Sequence, residues 1–198
     1  MIKKIIDKVF SNVRFFNSFR DFIHHDFIKE KAIIKRELNI SKRTLDFGCG
    51  SGQYSVLFKK GCYFGADGDK KCIEFARKEY TKQTFVLTEN NRKLQFKDGF
   101  FDQILAMDFF HHISPIDIDF ILNEMKRLLS KNGKLFIIDH PPKQKKMLAR
   151  LLMAFDRGQY AKDPEELLGY LLVHFKLVKK FPMKTGPYVD YVLILSKN

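Results

Sequence analysis

Leu45-Asp46-Phe47-Gly48-Cys49-Gly50-Ser51-Gly52 is the stretch on which the fold turns. Residues 44–47 form a short apolar run, of the length of a buried parallel strand, and three glycines follow at once. Glycines between a strand and a helix let the backbone turn sharply and come close to a ligand, and the helix N-terminus supplies N–H groups. A dinucleotide loop would read G-x-G-x-x-G. Here the third glycine is Gly52, and the dinucleotide position holds Gln53. Asp46 stands two residues ahead of Gly48. A carboxylate there repels phosphate and favours a cationic ligand, so the loop argues against a pyrophosphate.

Working outward, Gly65-Ala66-Asp67-Gly68 closes the next apolar run, with Asp67 19 residues after Gly48. A carboxylate at that strand end can accept bonds from both hydroxyls of a ribose. The two segments together describe a nucleoside ligand without pyrophosphate and with positive charge near the loop. Further short runs at 84–87, 103–107 and 135–138, with helices between them, predict an open α/β sheet covered on both faces. Ser114-Pro115 sets an N-cap and N1 proline, and Asn132-Gly133 is expected to stop that helix after Leu128 and Leu129. Asp163-Pro164-Glu165-Glu166 is expected to cap a helix running to about Val173. The segments HFKLVKKF and VDYVLIL then predict a terminal antiparallel hairpin.

The 198 residues suit one domain, divided into an N-terminal helical cap (1–40), a core (41–139) and a basic helical stretch with the hairpin (140–198). An apolar fraction of 45% with 30% charged residues excludes a disordered chain. No apolar run approaches the roughly 20 residues that span a bilayer. The opening MIKKIIDKVF is broken by Asp7 and Lys8, so no secretory signal is read. Cys49, Cys62 and Cys72 make no CxxC pair, which fits a reduced, cytoplasmic setting and no metal site. Lys and Arg outnumber Asp and Glu by 36 to 23, a net +13. Such a chain is drawn to a membrane surface, a nucleic acid or a phosphorylated substrate, unless the charge serves solubility alone. Ile2, Ile5, Ile6, Val9, Phe10, Val13 and Phe16 fall on one helical stripe, with Lys3, Lys4, Lys8 and Arg14 away from it. Residues 1–16 could therefore make peripheral membrane contact, or cover the ligand cleft. Lys143, Lys145, Lys146 and Arg150 form a second basic cluster.

At this point the chain resembles the class I S-adenosylmethionine-dependent methyltransferases, in the type 11 branch that includes quinone-precursor methyltransferases. LDFGCGSG is similar to the family's first motif and GAD to its second. FKDGFFDQILAMDFFHHI resembles the segment through the fourth strand, and NEMKRLLSKNGKLFIID the helix and fifth strand. The resemblance implies a Rossmann-like, open, mostly parallel seven-stranded sheet and the cofactor S-adenosyl-L-methionine. It implies close approach of Gly48, Gly50 and Gly52 to the methionyl part, with Cys49 lining it and Asp46 anchoring the amino end through the loop. Asp67, with Gly68, would hold the ribose. Asn90 or Glu89 would meet the adenine, and Met107 and Asp108 would lie beside the cofactor.

Methyl transfer from a sulfonium is an in-line displacement, in which positioning and exclusion of water do most of the work. An amine or hydroxyl acceptor still has to lose a proton, so a base can contribute. His111, His112 and His140 lie at the carboxyl edge of the sheet, where ligands of open α/β folds bind, unless they serve packing or capping. Tyr160 and Arg157 fall in the insertion before the hairpin, where substrate contacts are expected. His140-Pro141-Pro142 follows the fifth strand and lacks the aromatic of an N-P-P-Y motif, so it does not signal amino methylation of a nucleic acid. The sequence reading is methyl transfer to a small-molecule or lipid-linked acceptor. A cofactor-binding or membrane-associating module without turnover, and RNA methylation without a recognisable RNA-binding appendage, stand beside it.

Overall fold

The computed structural model describes residues 27–88, 93–153 and 158–197. The amphipathic stripe of residues 2–16, the adenine candidates Glu89 and Asn90, and Arg157 lie outside the described residues.

Among the described residues, five α-helices and seven strands follow one another: α1 (Ile28–Glu37), β1 (Thr44–Phe47), β2 (Tyr63–Asp67), α2 (Lys70–Glu79), β3 (Thr84–Leu87), β4 (Phe101–Met107), α3 (Pro115–Leu128), β5 (Leu129–Asp139), α4 (Met147–Met153), α5 (Pro164–Leu171), β6 (Phe175–Thr185) and β7 (Tyr188–Lys197). The sheet order is β3-β2-β1-β4-β5-β7-β6. The first five strands run parallel, and β7 enters antiparallel to β5 with Asp139 opposite Tyr191. This is the expected open, mostly parallel α/β sheet of seven strands with an antiparallel hairpin at its end. Strand order reverses beside β1, so the crevice for a ligand opens at the carboxyl ends of β1 and β4.

Alternation along the strands splits the core in two. Ile104, Ala106, Leu135, Ile137, Leu193 and Leu195 face one side, where α3 and α5 bring Ile118, Leu122, Leu167 and Leu171. Leu105, Met107, Phe136, Ile138, Val192 and Ile194 face the other, against α1 and α2 through Ile33, Ile34, Ile73 and Ala76. Strands apolar on both faces need such a cover on each side, which gives helices on both faces.

The helix ends refine the sequence reading. Ser114 caps α3, its hydroxyl accepting from the Asp117 N–H at 3.3 Å, with Pro115 at the first position. The helix ends at Leu128, but not through Asn132-Gly133. Leu129 is already extended, and Asn132-Gly133 lies inside β5. The register jumps there from Phe101↔Leu129 to Gln103↔Lys134. A Cβ on Gly133 would stand 2.5 Å from Leu129 Cγ, so that glycine serves the packing of a bulge. Asp163 precedes α5 without a side-chain cap, Pro164 presets the first turn, and the helix stops at Leu171, short of Val173. The hairpin strands are longer than the sequence implied and turn at Gly186-Pro187, where Gly186 has φ +53. Among the described residues no helix is long and apolar enough to cross a membrane.

Candidate active site

The glycine loop is built from the end of β1. Ala66 O accepts from both Gly48 N (2.8 Å) and Cys49 N (3.1 Å), and Cys49 O accepts from Gly52 N (2.9 Å). Gly48, Gly50 and Gly52 have φ of +83, +52 and +82, a region that favours glycine. Their surroundings differ. A Cβ on Gly48 would meet Phe109 Cδ2 at 2.3 Å, and one on Gly52 would meet Phe85 Cε1 at 2.7 Å. On Gly50 it would meet nothing within 4 Å. The close approach at the outer two positions is to the protein's own aromatic rings. Only the middle glycine faces open space.

Asp67 ties this loop to the next. Its Oδ2 accepts from Gly50 N at 2.7 Å and its Oδ1 from Asp69 N at 2.8 Å. Burial raises its pKa against these bonds, which favour the charged form. Each carboxylate oxygen keeps a further lone-pair direction, so the group is oriented and still able to accept. Asp69 caps α2 through Lys71 N and Cys72 N, which fixes the backbone just beyond Gly68.

Three predicted cofactor residues are buried. Asp46 stands behind the loop, fully buried, with its Oδ2 accepting from the Tyr63 hydroxyl. Its Oδ1 has no hydrogen-bond partner among the described residues, and burial pushes the carboxyl up to about 7. Cys49 turns its thiol inward, against the space of Gly65, so it lines the core and not the loop mouth. Burial, then the charges of Asp46 and Asp67, pushes that thiol well up, which disfavours a thiolate. Met107 is packed in the core on the α1 and α2 side. Asp108, the next residue, breaks away at φ +49 while its N–H donates to Ile138 O at 2.9 Å. A non-glycine residue held at positive φ beside a strand end is the kind of strain that collects at functional sites.

The histidines gather at the same edge. A short 3₁₀ turn, Phe110–His112, follows β4. The His111 ring Nδ1 lies 2.7 Å from Asp139 Oδ1, and the His111 backbone N–H donates to Asp139 Oδ2 at 3.1 Å. The His140 N–H donates to Asp139 Oδ1 at 2.9 Å, while its ring Nδ1 is 3.7 Å away. The His111 ring centroid is 4.0 Å from that of His112 and 4.2 Å from that of His140. His111, His140 and Asp139 are buried, whereas His112 is exposed. Burial alone would raise Asp139, but its interactions with His111 and His140 outweigh it and hold the carboxyl below its usual range. A carboxylate accepts only, so Nδ1 of His111 carries the proton of that bond and the ring's basic lone pair is on Nε2. His111, Asp139 and His140 have the donor types and closeness of a metal site. However, Asp139 already accepts three hydrogen bonds from these two residues, an arrangement suited to orienting an imidazole.

Tyr160 approaches through its backbone. Its N–H donates to His111 O at 2.9 Å, while its side chain is exposed. Lys162 was not legible in the sequence. It is buried, and its ammonium donates to the carbonyls of Phe110 (3.2 Å), Ile113 (2.8 Å) and Tyr160 (2.7 Å). It thereby staples the segment before α5 onto the histidine turn. Asp190 of β7 was missed as well. It is buried on the Thr185 hydroxyl, and burial, then the charge of Asp108, pushes its carboxyl up to about 8. Thr88, just after β3, holds a buried hydroxyl with no hydrogen-bond partner among the described residues, near Gly68. An acid leading the apolar run VDYVLIL was the one available signal for Asp190; nothing marks a lysine as buried.

Residues 45–137 match the methyltransferase domain family of type 11. The chain is similar to the ubiquinone biosynthesis O-methyltransferase of Pelagibacter ubique, 32% identical over 131 residues, covering 59% of this chain and 50% of that protein. The demethylmenaquinone methyltransferase of Thermotoga maritima is 27% identical over 127 residues, covering 61% and 54%. The chain thus spans about half the length of these two relatives. In fold it resembles a SAM-dependent methyltransferase from Archaeoglobus fulgidus, with TM-score 0.71 and 18% identity over 92% of this chain and 99% of that one.

Proposed function

We propose that this chain transfers the methyl group of S-adenosyl-L-methionine to a small-molecule or lipid-linked acceptor. The residues fit that cofactor. Gly50 offers open backbone space, and Asp67 is a pre-oriented carboxylate at the ribose position. When bound, the cofactor supplies an electrophilic methyl group on a sulfonium. Everything else falls to the chain's own side chains. Asp67 and the loop amides hold the nucleoside end, and Asp46 acts from behind the loop on the amino end. The chemistry of the acceptor half rests on one observation above all, the buried His111 Nδ1···Asp139 Oδ1 bond of 2.7 Å. It is the base-and-orienter pair of general-base catalysis, with Asp139 fixing the tautomer and His111 taking the acceptor's proton at Nε2. The quinone-related names of the two relatives support an acceptor of the quinone-precursor kind.

The test joins binding to turnover. S-adenosylhomocysteine should raise the melting temperature, and NAD should not. His111→Gln should keep that thermal shift and lose about 10²–10⁴-fold in methyl transfer, measured with labelled cofactor on a fractionated cell extract. Asp67→Ala should bind the cofactor more weakly by about 1–3 kcal/mol. No thermal shift would sink the cofactor reading, and an undiminished rate in His111→Gln would remove His111 as base.

A further inference from the structure

The segment between β5 and α5 carries a surface the reaction does not use. From His140 to Phe155 the chain has no carboxylate, and it has Lys143, Lys145, Lys146 and Arg150. All four cations are exposed. α4 buries Ala149 and turns Met147, Leu148 and Leu151 outward, at 85%, 58% and 56% exposure. Gln144 roots the segment on the sheet. Its amide donates to Val189 O at 3.1 Å and its oxygen accepts from Val189 N at 2.9 Å. The patch is therefore presented from β7, a few residues beyond the histidine edge. A cleft lined by Pro142, Lys143, Gln144, Arg150 and Met153 opens beside it.

Charge decides what covers this surface. A second copy of the chain carries the same +13, and its amphipathic residues 2–16 carry Lys3, Lys4, Lys8 and Arg14 against Asp7. Both would bring like charge to the patch. RNA brings the right charge but no hydrocarbon for three adjacent apolar side chains. An anionic bilayer brings both, phosphate headgroups for the cations and the acyl boundary for Met147, Leu148 and Leu151.

We infer that α4 and the basic segment ahead of it form a docking surface for an anionic membrane, which sets the histidine edge toward an acceptor held in the lipid. The orientation toward an acceptor rests on the methyl-transfer reading, whereas the docking does not. The test uses the full chain and vesicles of phosphatidylcholine alone or mixed with phosphatidylglycerol. Co-sedimentation should occur with the mixed vesicles, fall with added salt and be weak with phosphatidylcholine alone. Met147→Glu/Leu148→Glu/Leu151→Glu should lower partitioning by at least about tenfold, and Lys145→Ala/Lys146→Ala/Arg150→Ala should lower it and flatten the salt dependence. Deleting residues 1–16 should leave most of the binding. The thermal shift with S-adenosylhomocysteine reports folding and the cofactor site separately in every variant. Should the glutamate variant misfold, the alanine variant carries the test alone. Mixed-vesicle binding at wild-type strength in either folded variant, binding lost only with residues 1–16, equal binding to neutral vesicles, or binding to RNA but not to lipid would each overturn the proposal.

Discussion

The two halves of the site are made in different ways. The half around Gly48–Gly52 and Asp67 is made of backbone. Its hydrogen bonds run between amides, two carbonyls and one carboxylate, and its bonded partners are at most 18 residues apart. The half around His111 is made of side chains drawn from the end of β4, the end of β5 and the segment before α5. Asp139 meets His111 across 28 residues, and Lys162 meets Phe110 across 52. A backbone-built half is specified by glycines and turns, so it tolerates little change in its own residues. A side-chain-built half depends on distant elements arriving together, so it is tunable, and under the proposed methyl transfer it is the natural place for acceptor specificity.

The sharpest way to break this comparison is at the glycines. Gly48→Ala places a Cβ 2.3 Å from Phe109 Cδ2, at φ +83, inside a packed aromatic pair of Phe47 and Phe109. Overpacking and the left-handed backbone together should cost about 3–4 kcal/mol, read in urea unfolding. Gly50→Ala meets open space and bears only the backbone term, about 1 kcal/mol, yet it should weaken binding of S-adenosylhomocysteine. Equal destabilisation by the two would mean that the loop's glycines are not divided between packing and ligand.

That division shows what the sequence could disclose. The strand–glycine–strand–acid pattern lies in one contiguous stretch, and local turn chemistry made both the sheet and Asp67 legible. The same pattern hid the fact that Gly48 and Gly52 yield to Phe109 and Phe85, because those rings come from β3 and from beyond β4. Cys49 and Met107 read as lining residues in the sequence, and their burial was not legible, because it is set by packing against distant elements. The histidines were legible as candidates. That they share one carboxylate, Asp139, and that Lys162 is buried were not, because both are set by tertiary contacts.

Lys162 gives the middle effect and sharpens the other side of the comparison. Burial lowers its pKa, while its three carbonyl acceptors hold it in place. Lys162→Met keeps the stem and removes the donors, leaving three carbonyls short of partners at a cost of about 2–3 kcal/mol in urea unfolding. If the staple positions the histidine turn, methyl transfer should fall further than the stability loss explains, while affinity for S-adenosylhomocysteine stays within about twofold, under 0.5 kcal/mol. Cofactor affinity falling in step with turnover would join the two halves into one cooperative unit.

The smallest effect tests whether the acceptor half is tuned by buried acids. Asp190 ionises in the fold only at about pH 8, because of burial and then the charge of Asp108, whereas an unfolded aspartate does so near 3.9. The folded chain therefore keeps a proton that the unfolded chain has lost, and this term lowers stability as pH rises from about 4 to about 8, then levels off. Asp46, at about 7, acts with the same sign. Asp139 acts with the opposite sign. It is held below its usual range, so its contribution is present above about pH 4 and is lost as acid titrates it in the fold. Asp190→Asn keeps an oxygen for the Thr185 hydroxyl and removes the titration. Relative to wild type its melting temperature should gain steadily between pH 5 and pH 8, the direction that the raised carboxyl sets. Parallel curves for the two proteins would mean that Asp190 is ionised throughout. The acceptor edge would then carry standing negative charge of its own, and the contrast with the cofactor half would rest on construction alone.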